Sequence, residues 1–124
     1  MFVIGRDYTR NEIHAQLGGS KVSCLPTRDG AIVAACLTAA FSPDAPRVVL
    51  CGQGPRTGPV SAMLARHRGA IPVFIKLGAS RWEFRGAFEV TGSLVAGARF
   101  ESLIQGSGRA VDSVSVVVLL EPTA

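Results

Sequence analysis

The chain has 124 residues, of which 48% are hydrophobic and 18% charged. That length and balance suit one globular domain, residues 1–124, with a single core, and they exclude a disordered chain. The formal net charge is +4 and the pI ≈ 9.5, which favours an anionic partner over a cationic one.

Lys21 and Lys76 are the only lysines, so the basic excess is nearly all arginine, the residue that suits bidentate phosphate and guanine contacts. Cys24, Cys36 and Cys51 have no C-x-x-C spacing. They read as small buried hydrophobes of a reducing cytoplasm, and with two histidines they complete no usual metal set. Neither a secretory pattern nor an apolar run of about eighteen residues is present, so a cytoplasmic protein with no membrane association is expected.

In chain order, residues 9–17 carry the end signals of a short helix. Thr9 caps it, Glu12 three residues later completes a capping box, and Gly18 and Gly19 close it. Ile13 and Leu17 share the inward face, and Arg10 and His14 lie four apart on a neighbouring one. Residues 21–25 read as a strand ending at Pro26, and Asp29-Gly30 as a hairpin turn. The apolar run 31–38 suits a central strand, its alanines also permitting helix, and residues 47–51 resume as strand after a proline-rich break.

Pro59 sits in the first turn of a second helix, residues 60–68, which Gly69 stops. Residues 71–77 form a strand. Residues 81–90 then alternate, with Trp82, Phe84 and Phe88 on one face, Arg81, Glu83, Arg85 and Glu89 on the other, and Gly86 as a bulge or a point of close approach. Residues 100–104 and 113–120 complete the strands. The expected fold is α+β, built on a curled antiparallel sheet or small β-barrel with two short helices.

The loop Gly52-Gln53-Gly54-Pro55-Arg56-Thr57-Gly58 lies between a strand and a helix, as phosphate-binding loops do. It lacks a Lys-Ser/Thr pair after the last glycine, and Pro55 removes an amide. Two readings remain: a structural turn, or a loop entering a DNA groove with Gln53 at a base edge and Arg56 on phosphate. No nucleophile with an activating base, zinc pattern or carboxylate pair is evident, so no catalytic residue, metal or cofactor is expected.

The stretch F-x-x-G-x-x-Y-x-R-x-x-I-H-x-x-x-G-G at residues 2–19 resembles the start of SRA-like (SET- and RING-associated) domains, members of the PUA-like barrel class found beside HNH nucleases in modification-dependent restriction systems. Gly52-Gln53-Gly54, Val73-Phe74 and Trp82-Glu83-Phe84-Arg85-Gly86 extend the resemblance to about residue 90. The chain is also similar to a small domain of unassigned function common in fungal proteins.

The resemblance selects the small curved antiparallel β-barrel of the PUA/SRA-like class, and implies that it holds duplex DNA and flips a modified cytosine into a pocket. The family's pocket segment corresponds to Phe41-Ser42-Pro43-Asp44, where a phenylalanine stands in for the stacking tyrosine. The expectation is therefore a non-catalytic module binding plain or modified duplex DNA, with any cutting left to a nuclease partner. Arg10, His14, Lys21, Gln53, Arg56, Arg81 and Arg85 form its DNA surface, and Phe41 and Asp44 its base pocket. The alternative is a small-ligand or protein-binding barrel without nucleic-acid function.

Overall fold

A computed structural model describes residues 1–52 and 57–123. The elements are β1 (Asp7–Tyr8), α1 (Arg10–Leu17), β2 (Thr27–Arg28), β3 (Ala31–Ile32), β4 (Ala35–Leu37), β5 (Val48–Gly52), α2 (Thr57–Arg66), β6 (Ile71–Gly78), β7 (Arg81–Leu94), α3 (Ala98–Gly106) and β8 (Val114–Pro122). A short 3-10 turn at Val111–Ser113 leads into β8. The fold is α+β: three helices on a mixed six-stranded sheet.

Local signals explain the elements that close on themselves. Thr9 Oγ1 accepts from the Glu12 amide at 3.1 Å, and Glu12 Oε1 accepts from the Thr9 amide at 2.9 Å. This reciprocal cap is worth about 1 kcal/mol. At the other end Gly18 takes φ 79° and donates its amide to the His14 carbonyl. Asp29 and Gly30, both at positive φ, turn β2 into β3, as a two-residue hairpin requires.

The sheet follows the order β4-β6-β7-β8-β5, with β1 beside the first part of β7. Every pairing is antiparallel except β4 with β6, which is parallel. The small curved antiparallel barrel does not form: β4 and β5 end the sheet without pairing with each other, and a loop bonds to each of them. The Cys36 amide of β4 donates to the Cys24 carbonyl at 2.7 Å, and the Leu50 amide of β5 donates to Ser42 Oγ at 3.0 Å. An amide occupied in this way is closed to a neighbouring strand.

Bulges decide which side chains meet. Val73 faces Gly86 while Phe74 faces Phe84, so Arg85 is one extra residue in β7. An extra residue inverts the alternation beyond it. Trp82 and Phe84 therefore join Ile13, Cys36 and Phe74 under α1. Phe88 joins Val49, Ile71, Val73, Val116 and Leu64 of α2 on the opposite face. The single face expected for Trp82, Phe84 and Phe88 is split in two.

A second inversion occurs in β8, where the pairings skip Ser115, whose hydroxyl donates to the Gly52 carbonyl at 2.9 Å. Val114 and Val117 consequently meet Phe100 and Ile104 of α3. Helices thus cover both faces, α2 on one, α1 and α3 on the other.

Two expected strands are absent. Residues 21–25 are held by side-chain turns: the Val22 and Ser23 amides both donate to Ser20 Oγ, and the Leu25 amide donates to Ser23 Oγ. Hydroxyls that capture amides in this way compete with a ladder. Residues 100–104 lie instead in α3, a third helix, burying Phe100 and Ile104. The run 31–38 is divided between β3 and β4.

Gly86 has φ 107°, and a Cβ there would lie 3.3 Å from Ile4 Cδ1. Gly86→Ala is expected to destabilise the domain by about 1–2 kcal/mol, mainly through backbone strain. A urea titration reads the loss, and adding Ile4→Ala recovers only the smaller, steric share. An unchanged midpoint would show that an ordinary residue suits the bulge.

Candidate anion-binding groove

β6 and β7 form a hairpin in which Lys76 lies opposite Trp82. Lys76 Nζ stands 5.6 Å from the centroid of the indole ring, and the Arg10 Cζ stands 5.2 Å from it. Arg10 opens α1 and does not swing free. Its Nη2 donates to the Ser20 carbonyl at 2.8 Å and to the Ser23 carbonyl at 2.7 Å. Those bonds clamp the 20–23 turn against α1 and bring Lys21, exposed on the same turn, to the mouth of a groove.

The groove has a volume of ≈ 290 Å³ and is lined by Thr9, Arg10, Asn11, Lys21, Ala79, Ser80 and Trp82. Among these described lining residues there is no carboxylate. Glu12, the nearest acid in α1, is spent on the Thr9 amide. The capping box also leaves the Arg10 and Asn11 amides as first-turn donors without a partner inside the helix. Each cation–ring contact contributes only about 0.5–1 kcal/mol at an exposed site, too little to neutralise two like charges. An anion between them would relieve that repulsion.

The other expected DNA-surface residues are engaged elsewhere. His14 Nδ1 lies 2.6 Å from the Gly19 carbonyl, which fixes the exit of α1. Arg81 Nε donates to Asp7 Oδ2 at 2.8 Å and ties β1 to β7. Arg85 Nη1 stands 3.7 Å from Glu83 Oε1. Gln53 and Arg56 lie outside the described residues. The structure thus brings Arg10 and Lys21 together, and places His14, Arg81 and Arg85 in internal contacts.

Phe41 and Asp44 sit on the turn between β4 and β5, and both are exposed. Phe41 is covered in part by Arg109, whose Cζ lies 5.5 Å from the ring and whose Nη1 donates to the Phe41 carbonyl at 3.1 Å. Neither residue lines the Arg10–Lys21 groove. Sequence reasoning missed Lys76 and Ser80. Both were within reach: a tight turn at Gly78-Ala79-Ser80 sets Lys76 across from Trp82.

Burial pushes the thiols of Cys36 and Cys51 up to about 11, so both are protonated near neutral pH. Among the described residues no group of three His, Cys, Asp or Glu could hold a metal ion. Among the described residues no helix is long and apolar enough to cross a membrane.

The hydrogen bond from Arg81 holds the Asp7 carboxyl below its ordinary range. Its contribution to stability is present above the unfolded aspartate value and fades as pH falls through the lower folded value. An NMR titration of the carboxyl carbon is expected to show the depressed midpoint in the wild type and an ordinary one in Arg81→Ala. Identical midpoints would show that Arg81 does not set the Asp7 ionisation.

No family model, curated protein or solved structure matches the chain.

Proposed function

We propose that the protein is a non-catalytic DNA-binding module that grips the sugar–phosphate backbone in the groove between α1 and the β6–β7 hairpin. The observation that carries this reading is that Arg10 and Lys21 line a groove whose described lining has no carboxylate, with Lys76 beside it near the same indole ring as Arg10. The net charge of +4 adds a weak long-range attraction of the same sign.

Trp82 acts here as a support and not as a stacking platform. It is 8% exposed, too little to receive a base, and both cations rest near its ring. This sets the groove apart from single-strand sites, where open aromatic faces carry the bases. Backbone contacts from point charges bind duplex with little sequence preference. The SRA-like reading of the opening motif adds base flipping, whose pocket would be built on Phe41 and Asp44 in a barrel more closed than the observed sheet. The groove itself supports the backbone-binding part.

Fluorescence anisotropy over a salt series, on plain duplexes and duplexes with modified cytosine, tests the proposal. Lys21→Ala and Lys76→Ala are each expected to flatten the slope of log affinity against log salt by about 0.9, the share of one phosphate contact, without altering the melting temperature. Arg99→Ala on α3 is expected to leave the slope alone. Preference for the modified duplex that Phe41→Ala abolishes would add base reading. Binding without salt dependence would support the small-ligand alternative and overturn the DNA reading.

A further inference from the structure

The far end of β7 has an open strand edge. β6 pairs with β7 only as far as Ile71 opposite Phe88. β8 continues along the other side to Leu94, which faces Val117. Residues 89–94 therefore carry a ladder on one side, interrupted by a bulge at Thr91, and no described strand pairs with them on the side that β6 vacates. The chain entering β6 turns away there, with Gly69 at φ 89°.

Between that edge and the last turn of α2 lies a wide groove of volume ≈ 730 Å³, whose lining includes Arg66, His67, Arg68, Glu89, Thr91 and Ser93. On the outer strands β4 and β5, the Cys36 and Leu50 amides each bond to a loop, at Cys24 and Ser42. The 89–94 edge has no such cover among the described residues. Backbone donors and acceptors along an open edge are a template for another strand.

Charge selects the occupant. Arg66 and Arg68 are exposed at the groove, and Glu89 is the one carboxylate in its described lining. A strand added beside residues 89–94 would point every second side chain toward the α2 face, where the two guanidinium groups stand. Acidic residues at those positions would meet Arg66 and Arg68.

We infer that residues 89–94 of β7 receive an extended acidic peptide of a partner protein as an added strand, with Arg66 and Arg68 reading its alternate carboxylates. The surface lies at the opposite end of β7 from the Arg10–Lys21 groove, on the order of 30 Å away by strand rise. It is independent of the DNA reading.

The test uses the full chain and a fluorescein-labelled hexapeptide that alternates glutamate and valine, followed by anisotropy. Saturable binding is expected. N-methylation of the peptide amides in one alternating set is expected to abolish binding, and methylation of the other set to leave it nearly intact, since only one set faces the edge. The double variant Arg66→Glu, Arg68→Glu is expected to weaken binding about tenfold with an unchanged circular-dichroism melt.

Because the methylated peptides leave the protein untouched, the strand-addition claim stands or falls even if the double variant misfolds. No binding, or equal loss from both methylated sets, overturns strand addition. Undiminished binding to the folded double variant overturns the acidic specificity. A concentration-dependent dimer in sedimentation that the peptide cannot dissociate would assign the edge to a second copy of the chain. Displacement of the peptide by duplex DNA, persisting in Lys21→Ala and Lys76→Ala, would assign the basic end of α2 to phosphates. Either result overturns the inference.

Discussion

The sheet is hung on β7, and the faces its aromatic side chains take depend on one extra residue, Arg85. Arg85 has no partner of its own in β6, and the bulge it makes sends Trp82 and Phe84 to one face and Phe88 to the other. Without it the three aromatics would crowd one side, and α2 would lose Phe88 from the surface it covers. Gly86 makes the bulge affordable because its φ of 107° is open to glycine alone among ordinary residues. The inversion also lets helices pack on both faces of a sheet whose outer strands stay unjoined.

The basic groove follows from the same geometry. Trp82 reaches the α1 face because it precedes the bulge, and there it meets Arg10 and, across the hairpin, Lys76. Arg10 does two jobs at once: two short bonds to backbone carbonyls hold the 20–23 turn, and its charge still faces the groove. Arg81 and Arg85 have carboxylates beside them. Exposed pairs of that kind contribute little to stability, up to about 1 kcal/mol, but they reduce the charge left for a ligand. Position, more than the number of arginines, decides which cations are available.

Signals contained within a few residues were legible in the sequence. The Thr9–Glu12 box, the Asp29-Gly30 hairpin and the bulge at Gly86 each rest on chemistry between near neighbours, and each is present. Sheet closure was not legible, because it turns on whether Cys36 and Leu50 find strands or loops, a matter of distant segments. The helix α3 was readable and misread: Phe100, Leu103 and Ile104 follow a helical spacing, and all three pack under the sheet. At the groove, Arg10 and Lys21 could be named from sequence. The internal duties of His14 and Arg81 could not, since their partners Gly19 and Asp7 are set by the fold.

On the proposed reading β7 separates two surfaces, with DNA phosphates received only at the hairpin end and an acidic peptide strand at the other. Amide chemical-shift mapping with a short duplex DNA tests this most directly. Perturbations are predicted at Thr9, Arg10, Asn11, Lys21, Lys76, Ser80 and Trp82, with Glu89, Thr91 and Ser93 unmoved. Perturbations centred on Arg66, Arg68 and the 89–94 edge, or none above the effect of salt alone, would contradict it.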